Sequence, residues 1–293
     1  MDQMTKPLRN KVAIITGGGR GLGRAMAVGL ARAGLSGLCI TAARSPDQLN
    51  ETAAELEALG TGTKILPVVA DVTDPNACRA AVERTAETLG PVDILINNAG
   101  KGQNFLADDS VPFWQARIEG WREIVDTNVN GLFLMAYAAV GAMMEKGWGR
   151  IINISKSRDS MHRPKNAPYG ASKAALEAMS LSWAQDLIDT GVTVNTLAPG
   201  GSVDTAFVLP AVRERARRKE IDKHYFDAEV IVPAVVWLAS EASDGITGCR
   251  YIGASWNPSL PDAEAAEAAR EPAIFHPPKR DAVLTKPWTE PGR

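Results

Sequence analysis

The chain is 293 residues long, 45% hydrophobic and 23% charged, with a formal net charge of −2 and three cysteines. That length supports a sizeable core in one large domain or two small ones, and the composition is ordinary for a soluble globular protein. So little net charge gives no pull toward nucleic acid or an anionic membrane, and Cys39, Cys78 and Cys249 match no metal or redox spacing, reading as buried thiols of a reducing compartment.

Val12–Thr16 is a short β-branched apolar run, the mark of a fully buried strand. Gly17-Gly18-Gly19-Arg20-Gly21-Leu22-Gly23 follows at once, and residues 24–33 then take helical periodicity. Strand, glycine turn and helix in this order suit a pyrophosphate, because glycines let the backbone approach it while the N–H groups of the helix N-terminus face its charge. A second strand, 38–42, ends at Ala43-Arg44, where an acidic residue would select NAD through the adenosine ribose. Arg44, with Arg20 as a second cation nearby, instead offers a planar donor fork to a 2′-phosphate, so NADP(H) is expected over NAD(H).

Residues 65–70 read as a third strand closed by Asp71-Val72, and Asp74-Pro75 opens a helix as N-cap and N1. A fourth strand, 92–96, runs into Asn97-Asn98-Ala99-Gly100. Four strand–helix alternations predict an α/β doubly wound parallel sheet flanked by helices. The long segment 101–120 carries Phe105, Phe113 and Trp114, placed either on the wall of a substrate pocket or against the sheet edge. The run 132–144 is too short to span a bilayer and residues 1–10 have no apolar stretch of a leader, so a cytoplasmic protein with no membrane partner is expected.

After a fifth strand at 149–155 comes Tyr169-Gly170-Ala171-Ser172-Lys173, which opens an Ala-rich helix. Residues four apart share a helix face, so the Lys173 ammonium is expected to draw the Tyr169 phenol down toward neutrality and fit it for proton transfer. A sixth strand, 192–197, leads to Pro199-Gly200-Gly201-Ser202-Val203-Asp204-Thr205. An Arg-rich segment, 206–226, a helix at 233–239 and a last short strand at 249–252 complete the pattern.

The spacing T-G-x-x-x-G-x-G at residues 16–23, N-N-A-G at 97–100 and Y-x-x-x-K at 169–173 resembles the classical short-chain dehydrogenases/reductases. The resemblance runs from about residue 11 to 253 and implies a Rossmann-like sheet of about seven parallel strands in a single NAD(P)-binding domain, 1–253. Residues 254–293 then form a Pro-rich extension with too few apolar residues for its own core, expected on a neighbouring subunit or partly mobile.

The resemblance further implies an oxidoreductase that moves hydride between a nicotinamide and a carbonyl or alcohol carbon of a small molecule. Tyr169 is the proton donor, and Lys173 also holds the nicotinamide ribose. Asn128 holds a water that relays protons to Lys173. Cofactor contacts are implied for Gly17, Arg20, Gly21, Leu22, Gly23, Arg44, Asp71, Val72, Asn98, Ala99, Gly100, Tyr169, Lys173, Pro199, Gly200, Val203 and Thr205. No metal is required. Residues 206–226 stand where the family has a mobile lid, and the helix over 132–144 commonly meets a second subunit, so a homodimer or homotetramer is expected.

One position departs from the family pattern. The catalytic serine usually lies thirteen residues before the tyrosine, where this chain has Lys156 between Ser155 and Ser157. A loop one residue shorter brings Ser157 into place to polarise the substrate oxygen, the preferred assignment. Lys156 in that role, or a weakened site, are the other options. Two rival functions are a nucleotide-sugar epimerase or dehydratase on the same fold, and a cofactor-binding scaffold with a dead site.

Overall fold

The computed structural model describes residues 6–107, 111–205, 208–220 and 225–273. Its spine is built from seven mainly apolar runs: β1 (Val12–Thr16), β2 (Gly37–Ala42), β3 (Lys64–Val69), β4 (Ile94–Asn97), β5 (Gly149–Ile154), β6 (Val192–Ala198) and a short strand at Arg250–Ile252. β1, β4, β5 and β6 are buried at every position, as strands covered on both faces must be.

Between them run α1 (Gly21–Arg32), α2 (Pro46–Ala58), α3 (Pro75–Leu89), α4 (Ile118–Val125), α5 (Leu132–Lys146), α6 (Arg158–Met161) and α7 (Tyr169–Asp186). A two-residue strand pair, β7 (Ser202–Val203) with β8 (Tyr225–Phe226), brackets α8 (Pro210–Arg217). α9 (Val232–Ala239) precedes the final parallel strand, β9, at Arg250–Ile252. Pro75 sits in the first turn of α3, whose N-cap Asp74 accepts from the N–H of Asn76, as expected of that pair.

One core packs α1, α2 and α9 on one face of the sheet, through Met26, Leu30, Leu56 and Trp237. A second packs α3, α5 and α7 on the other, through Cys78, Met135, Ala139 and Ala184. The strand order is β3-β2-β1-β4-β5-β6-β9, all parallel, so the sheet winds outward in two directions from the β1/β4 pair. That reversal leaves a crevice at the carboxyl ends of β1 and β4 where no helix crosses, the place an open α/β sheet offers a ligand.

The beginning of the extension lies elsewhere than expected. α10 (Asp262–Ala269) buries Ala265, Ala266 and Ala269 on this same chain, the last two within the core that holds Trp237 and Tyr251. β10 (Arg270–Glu271) pairs antiparallel with β9, making an eighth strand among the described residues. Alanines bury little area each, but a strand edge with unpaired N–H and C=O groups is a strong template. Residues 274–293 lie outside the described ones.

Asp93 holds the two strands of the switch point together at their other ends. It is 1% exposed, accepts from the Val12 N–H at 2.9 Å, and pairs with Lys146 at the end of α5. Asp93→Ala leaves that N–H without its acceptor and strands the lysine. Urea unfolding is expected to show a loss of about 3 kcal/mol; a loss under about 1 kcal/mol would mean that the pair is idle.

Candidate active site

The glycine loop takes its shape from two backbone demands. Gly17 has φ +66°, and a Cβ on Gly23 would stand 2.1 Å from the Gly17 carbonyl oxygen, so the first turn of α1 can close onto β1 only without a side chain there. Thr16 and Asn98 then stitch the two strand ends together. The Thr16 hydroxyl accepts from the Asn98 and Ala99 N–H groups, each at 3.0 Å, and the Asn98 amide donates to the carbonyls of Thr16 and Gly17 at 2.9 and 3.0 Å. Thr16, the first letter of the T-G-x-x-x-G-x-G spacing, thus acts through its hydroxyl as well as closing β1.

The loop opens on a cleft of about 1120 Å³. Every residue expected to touch a cofactor lines it: Gly17, Arg20, Gly21, Leu22, Gly23, Arg44, Asp71, Val72, Asn98, Ala99, Gly100, Pro199, Gly200, Val203 and Thr205, with Tyr169 and Lys173 opposite. The residues present fit a dinucleotide. No side chain caps the N-terminus of α1 and no acidic residue stands in its first turn, so its N–H groups are left for an anion. Arg20 and Arg44 are both exposed at the rim. Burial pulls the Asp71 carboxyl upward, but hydrogen bonds from Thr73, with Lys101 and Arg44 nearby, hold it below its ordinary range.

Across the cleft, α7 places Tyr169 and Lys173 one turn apart on one face. Their electrostatics are the reverse of the expectation. Burial pushes the Tyr169 phenol up to about 12. Burial also brings the Lys173 ammonium down to about 8, against the pull of Glu177. The ammonium donates to the Ile154 carbonyl at 2.6 Å. Glu177, one further turn along, is 5% exposed, accepts from the Ser155 hydroxyl, and has its own carboxyl raised by burial. The i, i+4, i+8 spacing of 169, 173 and 177 was the available signal for it.

The three candidates in the turn after β5 separate cleanly. Ser155 is buried and directed at Glu177. Ser157 and Ser160 pair through their hydroxyls at 2.7 Å, and the Ser160 hydroxyl also lies 2.7 Å from the Ser157 carbonyl oxygen. Lys156 lies with its Nζ 4.6 Å from the centre of the Tyr169 ring and donates to the Ser160 carbonyl at 3.2 Å.

Asn128 stands behind the cleft rather than in it, within a π-type turn, Asp126–Gly131, that joins α4 to α5. Its amide exchanges two hydrogen bonds with the Lys101 backbone, at 2.8 and 3.0 Å, and donates to Ser172 at 2.9 Å. Both ends of the amide are thus engaged by protein, and the residue ties the segment after β4 to the first turn of α7.

In that segment Phe105 lines the cleft, whereas Phe113 and Trp114 are 64% and 71% exposed and meet each other edge to face, on neither the pocket wall nor the sheet edge. Val208, Leu209 and Val212 bring the start of the Arg-rich segment to the cleft mouth. Arg217 and Arg218 pair with Glu214 along the solvated side of α8. Residues 206–207 and 221–224 of the expected lid lie outside the described ones.

The depressed Lys173 sets a stability test with a definite sign. Its folded value of about 8 lies below the ordinary 10.5, so the cost of its burial is fully present below pH 8 and vanishes as pH rises through 10.5. Lys173→Met is expected to be more stable than the parent by about 2 kcal/mol at pH 7, after the lost hydrogen bond is discounted. Urea unfolding should show that advantage disappearing near pH 10.5; an advantage that grows with pH would contradict the buried-ammonium account.

The arrangement has close counterparts among known proteins. The short chain dehydrogenase family pattern matches residues 11–215. Glucose 1-dehydrogenase 2 of Bacillus subtilis is 30% identical over 84% of this chain and 93% of its own length. The 3-oxoacyl-[acyl-carrier-protein] reductase FabG of Escherichia coli is 33% identical over 81% and 93%. The solved structure of a short-chain type dehydrogenase/reductase from Mycobacterium marinum superposes with a TM-score of 0.74 at 30% identity, covering 85% of this chain and 95% of that one. A Rossmann-like sheet, a glycine-loop cleft and a Tyr-Lys pair on one helix face thus coincide with the family's own pattern: the chain belongs to the short-chain dehydrogenases/reductases, oxidoreductases that act on CH–OH or carbonyl groups with NAD(P)(H).

Proposed function

We propose that this protein is an NADP(H)-dependent oxidoreductase that moves hydride between the nicotinamide and a carbonyl or secondary-alcohol carbon of a small organic substrate. The observation that carries the reading is a single cleft in which the glycine loop, Arg44, Tyr169 and Lys173 meet. The α1 N-terminus takes the pyrophosphate, Arg44 and Arg20 the 2′-phosphate, and the segment around Pro199, Gly200, Val203 and Thr205 the nicotinamide end. When bound, the cofactor supplies the hydride chemistry. The protein supplies orientation and protons.

Tyr169 gives its proton to the substrate oxygen in reduction and recovers it in oxidation. Lys173 holds the nicotinamide ribose, and Asn128 fixes the backbone on either side of the cleft. For the group that polarises the substrate oxygen we favour Lys156 over Ser157, because its ammonium lies 4.6 Å from the centre of the Tyr169 ring while the Ser157 hydroxyl is paired with Ser160. An ammonium there stabilises charge developing on the oxygen as a hydroxyl would, with a full charge instead of a dipole.

The epimerase and scaffold readings have less behind them, since the named relatives are dehydrogenases and reductases. We further infer a cytoplasmic homo-oligomer. The outer face of α5 and α7 carries Phe133, 45% exposed, and Tyr137, 73% exposed, beside Trp183, an apolar surface suited to a second copy.

Titration of nicotinamide fluorescence tests the cofactor. NADPH should bind well ahead of NADH, and Arg44→Ala should weaken NADPH about tenfold while sparing NADH; equal losses would make Arg44 structural. Tyr169→Phe should keep NADPH affinity and lower ketone reduction a hundredfold or more. Lys156→Ala should cost about a hundredfold in kcat and Ser157→Ala only a few-fold; the opposite order returns the polarising role to Ser157.

A further inference from the structure

The C-terminal strand reaches the turn that carries Lys156. Arg250 of β9 is 1% exposed, and its Nη2 donates to the Lys156 carbonyl at 2.6 Å. The same guanidinium has Glu177 3.2 Å from its Nε and Glu271 of β10 3.1 Å from its Nη1. Two residues beyond Lys156, Arg158 donates to the carbonyl of Pro272, immediately after β10. The partners of Arg250 are brought there by the fold, because the β9–β10 register sets Glu271 opposite Arg250. α10 is anchored just before it by Ala265, Ala266 and Ala269.

Three consecutive residues leaving β5 are therefore pinned by three buried charged side chains. Lys173 holds the Ile154 carbonyl, Glu177 the Ser155 hydroxyl and Arg250 the Lys156 carbonyl. Fixing two carbonyls and the hydroxyl between them restrains the rotation of the turn, and with it the point from which the Lys156 side chain reaches the Tyr169 ring. A sheet edge could be closed by apolar residues at lower desolvation cost than by a buried guanidinium between two carboxylates. The charge is aimed instead at one carbonyl beside the reacting groups.

We propose that Arg250 and Glu271 are positioning residues of the reaction, and that the C-terminal segment serves the active site by holding residues 155–158 against Tyr169. This rests on the oxidoreductase reading above for its catalytic consequence, but not for the restraint itself. Glu271, 43% exposed, can be changed without opening the core, so Glu271→Gln is the main variant, with Arg250→Gln and Arg250→Lys beside it.

Full-length proteins are compared by hydrogen–deuterium exchange, thermal melting, NADPH fluorescence titration, and kcat and KM with NADPH and ethyl acetoacetate. Glu271→Gln and Arg250→Gln should raise exchange in the 155–162 peptide about tenfold and leave α9 unchanged. NADPH affinity should stay within about twofold while kcat falls about tenfold and KM moves little, with Arg250→Lys recovering part of the rate. Unchanged exchange at 155–162, or a lower melting temperature with kcat intact, overturns the proposal and leaves a merely structural ion pair. A parent that binds NADPH but turns over neither ethyl acetoacetate nor any of a panel of ketones and aldehydes defeats the functional reading instead, and the exchange data alone then decide the restraint.

Discussion

The end of β5 carries the constraint on which the site depends. The chain must leave a fully buried strand and turn across the face of α7, and its backbone polar groups cannot be left unpaired there. Ser155 N–H is taken by the Leu197 carbonyl of β6, the last rung of the sheet. The carbonyls on either side go to Lys173 and Arg250. Charged donors in a low-dielectric interior make strong hydrogen bonds, and each cation so used must be countered or must give up charge. Arg250 is countered twice, by Glu177 and Glu271. Lys173 has Glu177 as its nearest opposing charge and still falls to about 8. Lys173 is thus a structural donor, and burial depresses its basicity, an effect that Glu177 only partly offsets.

A polar lattice extends the same logic along the carboxyl ends of the central strands. Thr16 and Asn98 join β1 to β4, Asn97 donates to Asn153 of β5 at 2.9 Å, and Asn153 donates to Ser180 of α7 at 2.8 Å. Buried amides of this kind stabilise only when their partners are in place, so they favour one register of the strands over its neighbours. The cleft floor is rigid because the sheet ends in side-chain hydrogen bonds instead of frayed loops. Catalytic geometry, which tolerates little misplacement, is served by such a floor.

Much of this was legible before the structure, for identifiable reasons. Strands such as Val12–Thr16 and Gly149–Ile154 are β-branched runs buried on both faces, and the glycine loop is short-range chemistry, so both announce themselves in a few letters. What could not be read depends on side chains distant in sequence. That Ser157 pairs with Ser160, or that Ser155 faces Glu177, is decided by the direction of a turn, and no spacing encodes it. The Tyr169 phenol was misjudged for the same reason. Helical spacing gives proximity to Lys173, but the burial of the phenol sets the sign of the shift.

The extension illustrates the limit of motif-based boundaries. A family pattern ends where its recognisable letters end, but a folding unit ends where contacts end. α10 presents Ala265, Ala266 and Ala269 to the core, a stripe of methyl groups too slight to register as an amphipathic helix amid glutamates. β10 is two residues long, below any periodicity. Neither element has a hydrophobic signal of its own, and each is placed by what it meets: the exposed edge of β9 and the buried charge of Arg250. A guanidinium enclosed near the end of a sheet costs several kcal/mol unless carboxylates and carbonyls surround it. The strand that brings Glu271 to it is therefore needed by the same residues that hold the turn beside Tyr169.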